Sequence, residues 1–463
     1  MAKSRIPALL ALGAAMGIST ASAQQLQPLQ GQPISGLSAA ELVLFEAGAI
    51  AFGEPLTISG GLGPIFNEQS CGACHNQPAT GGHGSRLVTR FGLAANGGNP
   101  FDDLGAIGGS LLQDQAIDVQ CQEVIPGVAD VIINRATPTV FGIGLIEAIP
   151  DSVIVARANN QPPGINGQVR MNQPLEDPMG PMRVGRFGWK GGVSTVDTFS
   201  IDAAKNEMGL TSQFSPTENA PNGNQALLAQ WDTVADPEDA PDSLGFTFTD
   251  RITHFQQWSA PPPQMPTNGH AGAPIFDQVG CADCHVATYT TGTVASPALS
   301  GVEIHPYSDF LLHDMGALGD GIVDGQATET IMMTRTLWGL SNRTGLLHDT
   351  RSTGGTFEAN VENAIGEHQG EGLASNMAYN ALSQGDKDLM LGFLATLGQG
   401  EFDFENDNDI DVFDWFFIEP FLNGPAPAVA YTPEDVAAIC DIDQDGDFDI
   451  REFGIMQRAW TGE

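Results

Sequence analysis

The apolar and polar positions divide the chain into stretches of different kinds. Ile6 to Ile18 is an almost unbroken apolar run of 13 residues, preceded by Lys3 and Arg5 and followed by Ala21-Ser22-Ala23. A basic start, an apolar centre too short to span a bilayer and a small-residue cleavage pattern predict a signal peptide over 1–23. Residues 24–37, rich in Gln and Pro, predict a disordered N-terminal segment. Ala39 to Phe52 reads as a short amphipathic helix, and a briefer helical turn is expected over Ile275 to Val279. Near the end, Phe413, Trp415, Phe416 and Phe417, then Phe453, Ile455, Met456 and Trp460, predict two packed helices. After the leader no stretch is long and apolar enough to cross a membrane, so no span is expected in the mature chain.

Composition changes this picture in two ways. Gly 56 and Pro 30 among 463 residues predict long irregular connections between short helices, with little sheet. Lys+Arg 18 against Asp+Glu 56 leaves a formal charge of -38. Such a field repels phosphate backbones and anionic lipid, which excludes nucleic acid as a partner, and it attracts cations and basic proteins.

The cysteines carry the chemistry. Cys71-Gly72-Ala73-Cys74-His75 and Cys281-Ala282-Asp283-Cys284-His285 are two CxxCH motifs. In this pattern two thiols form thioethers to the vinyl groups of a porphyrin and the adjacent imidazole reaches the iron. Zinc would need four ligands per site, and no second paired Cys/His cluster is available. Two covalently bound haem c groups are therefore expected. Pro64-Ile65-Phe66 precedes Cys71 with the spacing by which Pro274-Ile275-Phe276 precedes Cys281, which predicts two haem domains built alike. A porphyrin would supply much of the core that a short Gly-rich chain lacks. Cys121 and Cys440 remain; they can bridge or stay as two inert thiols.

Residues 401–463 hold 17 acidic residues against Arg451 and Arg458. Asp441, Asp443, Asp445, Gly446, Asp449 and Glu452 occupy positions of a twelve-residue EF-hand calcium loop, with Asp447 offering its carbonyl. Asp403, Glu405, Asp407, Asp411 and Asp414 fit the same frame earlier in the chain, with Asn408 in place of the turn glycine. Two calcium ions are expected. Two such loops, each followed by one helix, look like a dockerin-type module, which implies a cohesin-like or surface partner; a calcium-locked cap is the other reading.

A wider resemblance is carried by GLGPIFNEQSCGACH (61–75), TPTVFGIGLIEAIP (137–150), GRFGWKGG (185–192), NEMGL (206–210), HPYSDFLLHDMG (305–316) and TRTLWGLSNRTGLLHD (334–349). From about Gly61 to Gly400 the sequence resembles the di-haem oxidoreductases grouped with peroxidases, which in turn are similar to bacterial di-haem cytochrome c peroxidases. LHDTR, at Leu347 to Arg351, stands where that family has LHDGR. The resemblance implies His368 as the distal ligand of the second haem, with Met315 as a competitor. It implies Glu207 over the first iron, where a carboxyl of raised pKa can move a proton between the two oxygens of a peroxide; a solvated helix Glu is the alternative. His83 is a candidate switchable ligand there. Trp189 falls between the haems, as electron relay or as packing. His305, His313 and His348 are near the second haem in sequence, Arg186, Arg335 and Arg343 are stronger propionate candidates, and His254 and His270 receive no role.

The expected architecture is mainly α: two cytochrome c-like haem domains with long irregular loops, 38–260 and 266–400, and a small helical EF-hand/dockerin-like domain over 401–463. The expected function is an exported, periplasmic or extracellular, di-haem c-type oxidoreductase. It would reduce peroxide with electrons from a small cytochrome or cupredoxin, entering at the His285/His368 haem and passing to the His75 haem. The alternatives are a non-catalytic electron-transfer cytochrome tethered by its calcium module and a di-haem enzyme that oxidises a protein side chain.

Overall fold

A computed structural model describes residues 26–95, 99–265, 270–419, 442 and 448–461. The expected signal peptide, Cys440, and Asp441, Asp443 and Asp445 of the later calcium loop lie outside the described residues.

Helix starts where the chain supplies caps. Ser38 accepts from the Glu41 amide while the Glu41 carboxylate accepts from the Ser38 amide, opening helix Ala39–Gly53 with a capping box. Thr247 and Asp250 do the same for helix Phe248–Trp258, and Thr195 caps helix Val196–Met208. The first two helices cross closely at Gly48, where a Cβ would lie 2.4 Å from the Arg251 carbonyl oxygen. Phe45, Phe52 and Phe255 fill the crossing, with ring centroids 5.3 and 4.8 Å apart.

The expectation of a mainly α protein built of cytochrome c-like domains is overturned. The chain is mixed, 37% helical and 14% strand, with several small antiparallel sheets. The longest ribbon pairs Gly84–Gly92 with Val131–Thr137, so that Val88 faces Arg135 and Phe91 faces Ile132. Its strands carry β-branched and aromatic residues, which suit a paired, pleated surface. The two Pro-Ile-Phe tripeptides also diverge. Ile65–Phe66 is a strand paired with Gln115–Ala116, whereas Pro274 sits in the first turn of helix Ala273–Gln278. Local identity was too short to fix local structure; the partner segment decided it.

The largest core joins Phe45, Phe52, Ile143, Ile154 and Phe255 to Tyr289, Phe310, Leu311 and Trp338, and so runs on both sides of the Pro261–Pro263 connection. A second core gathers Phe276, Tyr307, Val361, Met390, Phe393 and Leu394 around helices Phe357–Gly366 and Gln384–Ala395. A third holds Phe402, Ile410, Ile418, Phe448 and Met456, with Leu26 and Leu29 packed on it. The N-terminal segment expected to be disordered is therefore ordered from Leu26. Apolar side chains dock it on the C-terminal module, and Gln30, buried, donates to Asn342 and to the Gly398 carbonyl.

Candidate functional site

The second CxxCH motif forms a 3-10 turn, Cys281–Asp283, directly after helix Ala273–Gln278. His285 follows, its Nδ1 2.9 Å from the Tyr307 carbonyl oxygen. His368, just past helix Phe357–Gly366, has its Nδ1 2.8 Å from the Ala364 carbonyl oxygen. In both, Nδ1–H donates to a backbone oxygen and the Nε2 lone pair is left for a metal, the arrangement by which proteins orient ligating imidazoles. Both rings line one cavity of about 330 Å³, together with Cys281, Cys284 and Met315. Burial pulls the His285 pKa down to about 4, against the Tyr307 carbonyl that favours the charged ring; burial also lowers that of His368. The two rings are therefore neutral, as ligation requires.

The cavity wall carries two guanidiniums without a counter-charge. Arg335 donates to the Gly188 carbonyl and Arg343 to those of Thr336 and Trp338; among the described residues neither has a carboxylate within ion-pair distance. Loss of solvent pulls both pKa values down to about 10, with Arg343 also acting on Arg335. Two such cations beside a cavity call for a dianionic occupant, and an apolar cavity holding two neutral imidazoles and two thiols fits a haem with its propionates. Arg186, also expected near a propionate, is instead fully engaged by Asp151 and the carbonyls of Val184, Ile146, Glu147 and Ile149.

Trp189 lines the same cavity and donates its indole N–H to the Ala136 carbonyl at 3.0 Å. His348 meets its ring edge-on, with centroids 6.2 Å apart. His83 also faces this cavity, and its Nε2 is buried without a hydrogen-bond partner. The structure thus brings His83 to the wall of the second site.

At the first motif, Ser70 caps the short helix Cys71–Cys74 and His75 follows it, with Nδ1 3.1 Å from the Gly82 carbonyl oxygen. Phe52 approaches the ring edge-on at 5.8 Å. Burial lowers the His75 pKa to about 4, against the Gly82 and Pro138 carbonyls that favour the charged ring. Glu207, near the end of helix Val196–Met208, is half-buried beside the motif thiols and accepts from Asn67 Nδ2 at 2.7 Å. Burial pushes its carboxyl up, while Asn67 and Arg90 hold it back.

Thiol–disulfide chemistry finds no support at either motif. Burial, with nearby negative charge, pushes Cys71, Cys74 and Cys281 up to about 12, opposite to a reactive cysteine. Cys121 is a buried free thiol.

In the C-terminal module the oxygens of Glu405, Asp411 and Asp414 lie within 4.8 Å of one another. Asp403 is buried and accepts from the Asp407 and Asn408 amides. Asn408 takes φ +74°, the left-handed turn that a calcium loop needs at this position. Asp407 is exposed. Asp411 and Asp414 form a capping box on helix Val412–Ile418, and Asp449 and Glu452 form another on helix Ile450–Ala459.

Of the other histidines, His305 bonds Thr288 and His254 stacks on Trp258. His313 is bound by Asp309 and Glu371, a buried triad that sequence reasoning missed. Asp309 and His313 at i,i+4 were its one legible sign.

Residues 127–397, more than half of the chain, match the family described as "Di-haem oxidoreductase, putative peroxidase". No curated protein matches. Among solved structures, hydrazine synthase of Kuenenia stuttgartiensis, pressurised with 20 bar xenon, is similar at 13% identity and a TM-score of 0.32, covering 86% of this chain and 100% of that chain. The chain belongs to the di-haem oxidoreductase family.

Proposed function

We propose that the protein is an exported c-type di-haem oxidoreductase that reduces peroxide with electrons from a small redox protein. The observation that carries this reading is the shared setting of His75, His285 and His368. Each presents Nδ1 to a backbone carbonyl, the contact by which proteins orient a ligating imidazole. Cys71 and Cys74 would hold one haem and Cys281 and Cys284 the other by thioether bonds, with His75 and His285 as proximal ligands and His368 as the distal ligand of the second. When bound, the haems supply the one-electron carriers and the centre at which peroxide is reduced to water.

The chain's own groups then have defined tasks. Arg335 and Arg343 neutralise propionates. His285 and His368 would both hold the second haem, which suits it to accepting electrons. Glu207, whose carboxyl burial pushes above its ordinary value, takes a proton from one peroxide oxygen and returns it to the departing one. The formal charge of -38 steers a basic cytochrome or cupredoxin donor to the surface. Calcium at the two acidic loops would lock the C-terminal module, whose dockerin-like pattern suits a cohesin-like or surface partner.

Stopped-flow mixing of the reduced protein with hydrogen peroxide tests the reading. Oxidation far faster than that of free haem supports it. Two low-spin six-coordinate haems in every redox state, without rapid oxidation, would replace it with a non-catalytic electron carrier.

A further inference from the structure

The turn that carries His368 is fastened by a carboxylate to which the peroxide chemistry gives no role. Glu371 lies in the 3-10 turn Gly370–Gly372 and lines the cavity of His285 and His368. Its Oε2 accepts from the His313 ring at 2.9 Å and from the Asn166 amide at 2.7 Å, and its Oε1 accepts from the Asp314 amide at 3.3 Å. The second nitrogen of His313 lies 3.0 Å from Asp309 Oδ2. His313 and Asp309 are both fully buried. A ring held between two carboxylates donates from both nitrogens, so Glu371 is gripped by a buried imidazolium as well as by two backbone amides.

These anchors lie on segments distant in sequence from the turn, and one of them leads to the rival ligand. Asp314 ends strand Leu312–Asp314, and Met315 follows it. The turn lies directly on that strand: a Cβ at Gly370 would stand 2.1 Å from the Asp314 carbonyl oxygen. At Gly372 a Cβ would stand 3.2 Å from His368 Cδ2 and 3.3 Å from Met315 Cε. An imidazole and a thioether, either able to complete the coordination of an iron, thus sit side by side at one cavity. Glu371 ties together the two segments that carry them.

We propose that Glu371 is a positioning residue that sets which of His368 and Met315 faces His285, by clamping the His368 turn to His313, Asp314 and Asn166. The inference rests on the reading that His285 holds a haem. Asn376 supports the turn from its other side, donating to the Gly366 and His368 carbonyls. That contact orients the backbone but reaches neither Asp314 nor Met315. The consequence is a tuned potential, because exchange of imidazole for thioether raises that of a haem.

The test uses the haem-loaded full chain and its variants Glu371→Ala and Glu371→Gln. Low-temperature EPR, the far-red methionine-to-iron charge-transfer band and the midpoint potential of the second haem are measured. The wild type shows bis-imidazole ligation. Glu371→Ala loses it in most molecules, gains the methionine band and has a higher potential; Glu371→Gln, which keeps an acceptor for the two amides, lies between. In Glu371→Ala/Met315→Leu the methionine band is absent and high-spin haem replaces it. A wild type without bis-imidazole ligation would remove the His368 reading itself. A bis-imidazole wild type with a folded Glu371→Ala variant of unchanged ligation and potential would overturn the clamp alone. If Glu371→Ala does not fold, His313→Gln, which keeps a neutral donor to Glu371, is judged by the same spectra and the same two outcomes.

Discussion

The Arg335 guanidinium carbon lies 5.1 Å from the centroid of the Trp189 indole, on its face, while the indole N–H donates to the Ala136 carbonyl. The cation over the ring favours the neutral indole over its oxidised form. A cation over the ring opposes removal of an electron by about 1–2 kcal/mol, roughly a tenfold effect on the population of an oxidised ring. The carbonyl oxygen is too weak a base to take the indole proton. A relay role for Trp189 would therefore be that of a bridge that holds no charge. Freeze-quench EPR after peroxide should show no tryptophan radical in the wild type and should show one in Arg335→Leu; a radical accumulating in the wild type would contradict this.

Arg343 should change the stability of the loaded and empty protein in opposite directions. Without an anion its half-buried guanidinium has no counter-charge, so Arg343→Met removes a desolvation penalty and raises the melting temperature of the cofactor-free chain. With a propionate in place the same substitution leaves a carboxylate unpaired and costs about 3–5 kcal/mol. Thermal denaturation of the two forms, compared with the wild type, measures both signs.

Glu207→Gln keeps the size of the side chain and the contact with Asn67 but removes the titrating group. Peroxide reduction should fall by roughly 10²–10⁴-fold, the usual share of a positioned acid–base group. Haem content and the resting spectrum should not change. An unaltered rate would make Glu207 a structural residue.

Calcium removal should expose a pH effect at Asp403. Burial first, then the charge of Asp414, holds its carboxyl at about 7 against an ordinary 3.8. A raised carboxyl keeps its proton in the fold while the unfolded chain has already lost it. The contribution of Asp403 to the calcium-free module is thus fully present below pH 3.8 and is lost as pH rises towards about 7. Calcium needs the ionised carboxylates, so in its presence stability should rise over the same window. Melting curves of the full chain with calcium and with chelator, across this range, test it. Identical slopes would contradict calcium at the first loop.

What was legible in the sequence was contiguous in it. The helix behind Ser38 and the family segments within residues 127–397 each fit within a short window of sequence. Pairings over long separations were not legible. The ribbon joining Gly84–Gly92 to Val131–Thr137 spans a long connection, and neither strand alternates cleanly enough to announce a partner. His313 meets Glu371 across 58 residues. Arg186, placed near a propionate on its residue type, is consumed by Asp151 and backbone carbonyls. The Pro-Ile-Phe repeat misled because three residues cannot outweigh the segments packed on them.

Sulfur linkage of two porphyrins to the polypeptide is the claim on which the rest stands. The intact mass of the denatured protein, matured in a periplasm, decides it most directly. The account predicts the mass of the processed chain plus two haems, falling by one haem in Cys281→Ala/Cys284→Ala. The bare polypeptide mass, with the pigment lost on denaturation, would contradict it.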